Sequence, residues 1–122
     1  MELLEKDLTE KIISACFEVS NELGVGFLES VYEKALTIAL ADKEIDAAAQ
    51  VSLKVLFRGK VVGDFYADIL VEEKVIVELK AVKALSPEHE AQIINYLKAT
   101  GIKVGLLINF AKPKLEWKRL VY

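Results

Sequence analysis

The sequence predicts an α/β protein in which helices flank one mixed β-sheet. Two stretches with helical apolar spacing come first, and three strand-like segments joined by short turns follow. A well-signalled helix then separates the third strand from a fourth. A three-strand meander followed by a helical crossover brings antiparallel and parallel neighbours into one sheet. The predicted order is therefore ααβββαβ, with a weaker signal for one further strand.

Both leading helices are predicted from apolar residues that recur at intervals of three and four. The first covers residues 5–23, and Gly24 and Gly26 end it because glycine adopts turn conformations readily. The second covers residues 28–43. The alanine-rich residues 44–50 fit neither a helix nor a strand clearly.

Three strands are predicted at residues 51–57, 61–71 and 75–80, with turns at 58–60 and 72–74. Ser86 followed by Pro87 marks the start of the third helix, and Gly101 marks its end. Residues 103–110 form an apolar run typical of a buried strand. Residues 115–122 alternate only weakly, which is compatible with an edge strand.

The composition excludes several classes of protein. The 122 residues are 53% hydrophobic and 29% charged, which fits one folded domain over residues 1–122 and not a disordered chain. No apolar run approaches the ~18 residues that span a membrane, and the charged residues 1–7 do not resemble a secretory signal. Cys16 is the only cysteine, which excludes an intrachain disulfide and a cysteine-rich zinc site. We therefore expect a cytoplasmic protein with no membrane partner.

The net charge of −3 does not provide the basic surface that usually accompanies nucleic-acid binding. Any such contact must therefore rest on a local patch. The best candidate is the tail, where Trp117 stands among four cations: Lys112, Lys114, Lys118 and Arg119. Trp117 equally fits a packing role or a dimer contact.

Asp68 and Glu78 are unusual because acidic residues are disfavoured inside strands. Lys80 follows Glu78 by two positions, so both side chains point to one face of the sheet. A turn of residues 72–73 alone would place Asp68 on the opposite face from Glu78. A loop of residues 72–74 would place the two acids directly opposite each other. We adopt the second register because it separates an apolar face from a polar one.

Two carboxylates in that position repel each other, and a cation between them would relieve the repulsion. Oxygen ligands without a cysteine or histidine cluster favour Mg²⁺, Mn²⁺ or Ca²⁺. Such an ion activates water and stabilises charge on a phosphate, and Lys80 would hold the water or the phosphate. The alternative is a solvated polar face on which Glu78 simply pairs with Lys80.

Three motifs accompany this pair of acids. Residues 26–32 read GxxExxY, Asp68 with residues 78–80 reads D…ExK, and residues 92–96 read QxxxY. Through these motifs, over nearly the whole chain, the sequence resembles the small GxxExxY protein family of the PD-(D/E)XK nuclease superfamily. The QxxxY element is similar to that of the RecB-like branch.

The resemblance implies a restriction-endonuclease-like core and a metal-dependent nuclease that hydrolyses DNA with Mg²⁺ or Mn²⁺. It implies a metal site on Glu29, Asp68 and Glu78, with the backbone carbonyl of Leu79 as a further ligand. With Lys80, the three acids form the expected catalytic set. One departure is that Ala67 stands where the superfamily pattern has proline.

Four further residues are expected to contact the substrate. Gln92 and Tyr96 match the QxxxY motif and share one face of the third helix with His89. Tyr32 lies one helical turn from Glu29. Both His89 and Tyr32 also fit purely structural roles.

Two other hypotheses stay open. A non-catalytic module of the same fold would bind nucleic acid or a protein partner, and the acidic net charge favours it. The retained charges of Asp68, Glu78 and Lys80 favour an enzyme, because burying charges without a function is costly. A homodimeric junction-cleaving endonuclease is the third hypothesis, since small size and apolar composition suit a homodimer.

Overall fold

The computed structural model describes residues 3–122, so Met1 and Glu2 of the charged start lie outside the described residues. The helices and strands are α1 (Lys6–Leu23), α2 (Glu29–Asp42), β1 (Ala47–Phe57), β2 (Lys60–Val71), β3 (Val75–Lys80), α3 (Pro87–Thr100), β4 (Val104–Asn109) and β5 (Glu116–Val121). This order confirms the predicted one, and the weakly signalled last strand is present.

The five strands form one mixed sheet in the order β1-β2-β3-β4-β5. β3 and β4 are parallel and α3 connects them, whereas the other neighbouring pairs are antiparallel. The α/β class and the mixed sheet flanked by helices are therefore as predicted.

Each face of the sheet has its own apolar core. On one face, α1 and α2 bury Ile12 and Leu36 against alternate residues of β3 and β4. On the other face, α3 buries Ile93 against the intervening residues Ile76 and Leu107. Successive strand residues point to opposite faces, so strands covered on both sides are apolar at nearly every position.

The start of α3 is fixed by reciprocal hydrogen bonds. Ser86 Oγ accepts from the backbone N–H of His89, and the backbone N–H of Ser86 donates to His89 Nδ1 at 3.0 Å. Pro87 occupies the first turn, and Gly101 ends the helix with a left-handed φ of 78°. The predicted boundaries of this helix are confirmed.

β1 begins at Ala47, four residues before the predicted start. The alanine-rich segment has no strong preference of its own, and its pairing with β2 decides its conformation. Ala47 pairs with Val71 and Ala49 with Ile69, which extends the hairpin to the end of β2.

The hairpin between β2 and β3 has the predicted register. Val71 pairs with Val75 and Ile69 with Val77, and the backbone N–H of Lys74 donates to the carbonyl of Val71 at 2.9 Å. The loop is therefore residues 72–74.

Only residues 69–71 of β2 pair with β3, although β2 pairs with β1 over its whole length. Residues 52–66 consequently leave the sheet as a two-stranded ribbon, called here the β1–β2 ribbon. Its tip is the turn at Arg58 and Gly59, and its inner face contacts α3 through Leu53 and Phe65.

None of the helices within residues 3–122 combines the length and the apolar character that a membrane crossing requires.

Candidate functional site

Asp68 and Glu78 meet where β2 and β3 stop pairing. The backbone N–H of Leu79 donates to Asp68 Oδ2 at 2.8 Å, and the backbone N–H of Asp68 donates to Glu78 Oε1 at 3.2 Å. Side-chain carboxylates thus take over hydrogen bonds that backbone carbonyls make elsewhere in the sheet. The result is two acidic side chains with fixed orientations at the point where the strands separate.

The surroundings of Glu78 disfavour its charge. The side chain is only 4% exposed, and burial together with the negative charge of Asp68 raises the pKa of Glu78 to about 8. The positive charge of Lys80 acts in the opposite direction but is the smaller effect. A buried acid beside a second carboxylate is the arrangement that a cation would stabilise.

Lys80 is connected to α3 by a chain of polar contacts. Lys80 Nζ donates to Gln92 Oε1 at 3.4 Å, and Gln92 Nε2 donates to the hydroxyl of Tyr96 at 2.7 Å. Burial and the charge of Glu78 raise the pKa of Tyr96. The structure therefore brings Lys80, Gln92 and Tyr96 together beside the two acids.

Phe65 extends this group and was not identified from the sequence. Its ring stacks on Tyr96 with centroids 3.9 Å apart and planes 12° from parallel. In the sequence Phe65 is one apolar residue among several in β2, so no motif distinguishes it. The contact joins the β1–β2 ribbon to the candidate site.

Glu29 lies at the end of β3 rather than between Asp68 and Glu78. Its carboxylate is exposed and accepts a hydrogen bond from the backbone N–H of Ala81 at 3.2 Å. Within residues 3–122, no three acidic, cysteine or histidine side chains converge as a metal-binding group. Asp68 and Glu78 therefore form a pair, and Glu29 binds the backbone three residues beyond Glu78.

Tyr32 is in the core on the α1 and α2 face. Its hydroxyl donates to the carbonyl of Gly24 at 2.7 Å and accepts from the backbone N–H of Phe27 at 3.3 Å. Its ring stacks on Phe110 with centroids 4.6 Å apart. Tyr32 thus holds the loop that leads to Glu29.

His89 stands at the N-terminus of α3, where its Nδ1 accepts the Ser86 hydrogen bond described above. That nitrogen is engaged in capping the helix. His89 therefore has a clear structural role, three residues before Gln92.

Asn109 is a fully buried polar residue in an otherwise apolar strand. Its Oδ1 accepts from the backbone N–H groups of Val82 and Ala111, and its Nδ2 donates to the carbonyl of Val82 and to Glu116. Glu116 also accepts from the backbone N–H of Leu85. Asn109 was not predicted from the sequence, although a lone asparagine at the end of an apolar strand is a usable signal.

These contacts hold the segment that follows Lys80. Val82 is bound at both its N–H and its C=O, so the chain leaving β3 has a fixed path. The same segment includes Ala81, which binds Glu29. Asn109 thereby supports two predicted site residues without contacting either of them.

Comparison with protein families identifies the chain. Residues 6–120 match the model of the PD-(D/E)XK nuclease superfamily. The chain belongs to the PD-(D/E)XK nuclease superfamily. The motif in that name matches Asp68 as its D, Glu78 as its D/E and Lys80 as its K. Ala67 stands in the place of its proline.

One solved structure has a fold similar to that of this chain. The crystal structure of SSO0001 aligns with a TM-score of 0.60 and 19% sequence identity, covering 96% of this chain and 58% of that chain. The chain therefore spans less than two thirds of the SSO0001 structure. No curated protein matches in sequence.

The donor set of this superfamily member fits a small divalent cation. Two carboxylates and the nearby carbonyl of Leu79 offer hard oxygen ligands, and Mg²⁺ is commonly held by one or two carboxylates with water completing its shell. Burial and the charge of Asp68 raise the pKa of Glu78, and a bound cation would offset both effects. A third carboxylate ligand is not required for such an ion.

Proposed function

We propose that this chain is a metal-dependent nuclease that hydrolyses phosphodiester bonds in DNA, with Mg²⁺ or Mn²⁺ as its cofactor. The observation that carries the proposal is the contact of Asp68 and Glu78, beside Lys80, at the point where β2 and β3 stop pairing. Superfamily membership indicates a hydrolytic enzyme acting on nucleic acid. Within the superfamily, the motifs favour the GxxExxY family and the RecB-like branch.

Asp68 and Glu78, with the carbonyl of Leu79, would hold the cation. When bound, such an ion stabilises negative charge on a phosphate and makes water more acidic. Glu29 would act on the water around the ion rather than on the ion itself, because its carboxylate lies at Ala81.

Lys80 would supply a positive charge at the phosphate. Its ammonium is directed by Gln92, so the charge is positioned before the substrate arrives. Glu78 must lose its proton to bind a cation, and the neighbouring ammonium favours that ionised form.

Gln92 and Tyr96 would orient the nucleic acid. Their side chains contact each other and line the α3 side of the group. The hydroxyl of Tyr96 suits a phosphate contact, while its ring face is covered by Phe65. His89 and Tyr32 would contribute indirectly, through the start of α3 and through the loop before Glu29.

Cleavage assays test this proposal. Labelled single-stranded, duplex and branched DNA would be incubated with Mg²⁺ or Mn²⁺ and the wild-type protein, Lys80→Ala or the control Lys83→Ala. We expect EDTA to abolish cleavage and Lys80→Ala to lower the rate by about 100-fold or more, the scale of losing one preorganised charge contact. Lys83 is exposed, and its variant should retain the wild-type rate.

The rival function is a non-catalytic module that binds nucleic acid or a protein. It is favoured by the acidic net charge and by the finding that only two carboxylates meet among the described residues. If no substrate is cut, or if Lys80→Ala cuts as fast as wild type, the nuclease assignment to this site fails and the binding module becomes the better account.

A further inference from the structure

The tip of the β1–β2 ribbon exposes an apolar patch. Four side chains are each more than half exposed: Leu56 at 60%, Phe57 at 58%, Val61 at 59% and Val62 at 64%. Leu56 pairs with Val61, and Phe57 and Val62 are the next residues along the two strands, so all four lie together at the end of the ribbon. A patch of this kind marks an interaction surface more often than a solvent-facing one.

The charge of the ribbon is opposite in sign to that of the chain. The whole chain carries −3, whereas residues 52–66 hold three cations, Lys54, Arg58 and Lys60, and one carboxylate, Asp64. Asp64 is engaged by Lys54 at 2.7 Å and by Ser52 at 3.0 Å. Arg58 and Lys60 therefore keep an uncompensated positive charge within the ribbon.

The tail that the sequence analysis favoured is a weaker candidate. There Lys112 pairs with Glu116 at 3.4 Å and Lys118 with Glu90 at 3.0 Å. Its cations are partly neutralised by the fold, unlike those at the ribbon tip.

We propose that the ribbon tip binds a nucleic-acid strand, with Phe57 stacking on an unpaired base and Arg58 and Lys60 contacting phosphates. The guanidinium of Arg58 already lies 4.9 Å from the centroid of the Phe57 ring, so aromatic face and cation are presented together. An aromatic ring beside cations is the combination that binds single strands without reading their sequence. A second protein copy would not need the local positive charge.

The position of the ribbon deepens the proposed nuclease function, on which this inference rests. Phe65 stacks on Tyr96, which is linked through Gln92 to Lys80. From Phe65 to the turn at Gly59 is six residues, or roughly 20 Å at ~3.3 Å per strand residue. A strand that contacts both the candidate site and the tip must therefore extend along the ribbon for about 20 Å.

Binding experiments in EDTA test the inference without cleavage. Fluorescence anisotropy would measure the Kd for labelled single-stranded DNA of about 20 and about 5 nucleotides, one longer than the ~4–16 nucleotides that a single-strand-binding fold covers and one near the lower end of that range. The first variant is Arg58→Asn with Lys60→Gln. Arg58 and Gly59 both have positive φ, and asparagine is favoured at the first of these turn positions, so the turn is retained.

The matched control is Lys11→Gln with Lys34→Gln, which removes two exposed charges from α1 and α2. We expect the ribbon variant to weaken binding of the long probe by about tenfold and to reduce the slope of log K against log salt by about 1.4. The short probe should lose less affinity than the long probe, because it can still bind beside Lys80 without contacting the tip. The control should keep the wild-type Kd within about twofold, since its charges lie outside the contact.

A second variant examines stacking. Phe57→Ala should weaken binding of the long probe by about tenfold, whereas Ile38→Ala, which truncates an exposed apolar residue on α2, should not. Circular dichroism would verify that each variant keeps its helix and strand content. The two ribbon variants test the inference independently. If one of them fails to fold, the other still measures whether the tip binds DNA.

Several outcomes would overturn the inference. One is an unchanged Kd in both ribbon variants, and another is no binding of either probe by wild type. A third is a change of molecular mass with Phe57→Ala at unchanged Kd, which would make the tip a self-association surface.

Failure of the nuclease proposal looks different. In that case the ribbon variants still weaken binding, but wild type cuts nothing when Mg²⁺ or Mn²⁺ is added.

Discussion

Asp68 and Glu78 are each bound to the strand of the other. The carboxylate of Asp68 accepts from the N–H of Leu79, next to Glu78, and the carboxylate of Glu78 accepts from the N–H of Asp68 itself. The two side chains are therefore oriented by backbone hydrogen bonds before any ligand binds. Such preorganisation is what a metal site requires of its ligands.

Replacing Glu78 with glutamine should stabilise the metal-free protein at alkaline pH. Burial and the charge of Asp68 raise the pKa of Glu78 from 4.5 to about 8 in the folded protein. Wild type therefore loses stability as the pH rises from about 4.5 through about 8, because the unfolded chain favours the ionised acid. The difference above pH 8 approaches ~5 kcal/mol, since one pKa unit corresponds to about 1.4 kcal/mol.

Urea unfolding in EDTA near pH 5, 7 and 9, a range that brackets both pKa values, would measure this effect. Glu22→Gln, at an exposed position of α1, serves as the control. Parallel pH profiles for wild type and Glu78→Gln would contradict the burial of a titrating acid at this position.

Mn²⁺ or Mg²⁺ should raise the Tm of wild type, and more strongly near pH 8.5 than near pH 6, because the ligands must be ionised to bind. Asp68→Asn and Glu78→Gln should lose the shift. Glu29→Gln should keep most of it, since Glu29 binds Ala81 instead of joining the pair. Differential scanning calorimetry measures the shifts, and a larger loss in Glu29→Gln than in Asp68→Asn would reverse the assignment of ligands.

Asn109→Ala should destabilise the protein by about 2–4 kcal/mol, because it removes several hydrogen bonds that a fully buried side chain makes to partly buried groups. Those groups include both backbone atoms of Val82 and the carboxylate of Glu116. Chemical denaturation provides the measurement, with the exposed Asn95→Ala as the control. A change below about 0.5 kcal/mol, the usual size for a surface substitution, would contradict the role of Asn109 in holding the segment after Lys80.

Tyr96 offers a way to separate stacking from hydrogen bonding. Tyr96→Phe keeps the ring against Phe65 and removes only the hydroxyl that accepts from Gln92, so stability should change by about 1 kcal/mol or less. Tyr96→Ala removes the stack as well and should cost about 2–4 kcal/mol. Thermal unfolding of both variants decides this, and equal losses would mean that the ring contact contributes nothing.

Much of the fold followed from local patterns. Apolar spacing located α1 and α2, and the Ser86-Pro87 pair with Gly101 bounded α3 within a residue. These signals are local because capping and amphipathicity depend on neighbours three or four residues away. The alanine-rich start of β1 was not predicted, since only its pairing with β2 makes it a strand.

The candidate site was only partly accessible to the same reasoning. Segregation of apolar and polar faces selected the hairpin register that brings Asp68 to Glu78. Glu29 was expected to complete a three-carboxylate set, and the structure places it at Ala81 instead. Asn109 and Phe65 were missed because their partners, Val82 and Tyr96, are distant in sequence.

Short-range spacing was enough to predict the order of the elements, the register of the β2–β3 hairpin and the residue types available for chemistry. The three-dimensional structure was needed to show where β2 stops pairing with β3, which side chains accept the hydrogen bonds there, and that the ribbon extends beyond β3. These features could not be read from local patterns because they arise from contacts between segments far apart in the chain. A pattern within one segment cannot record where another segment will pack against it.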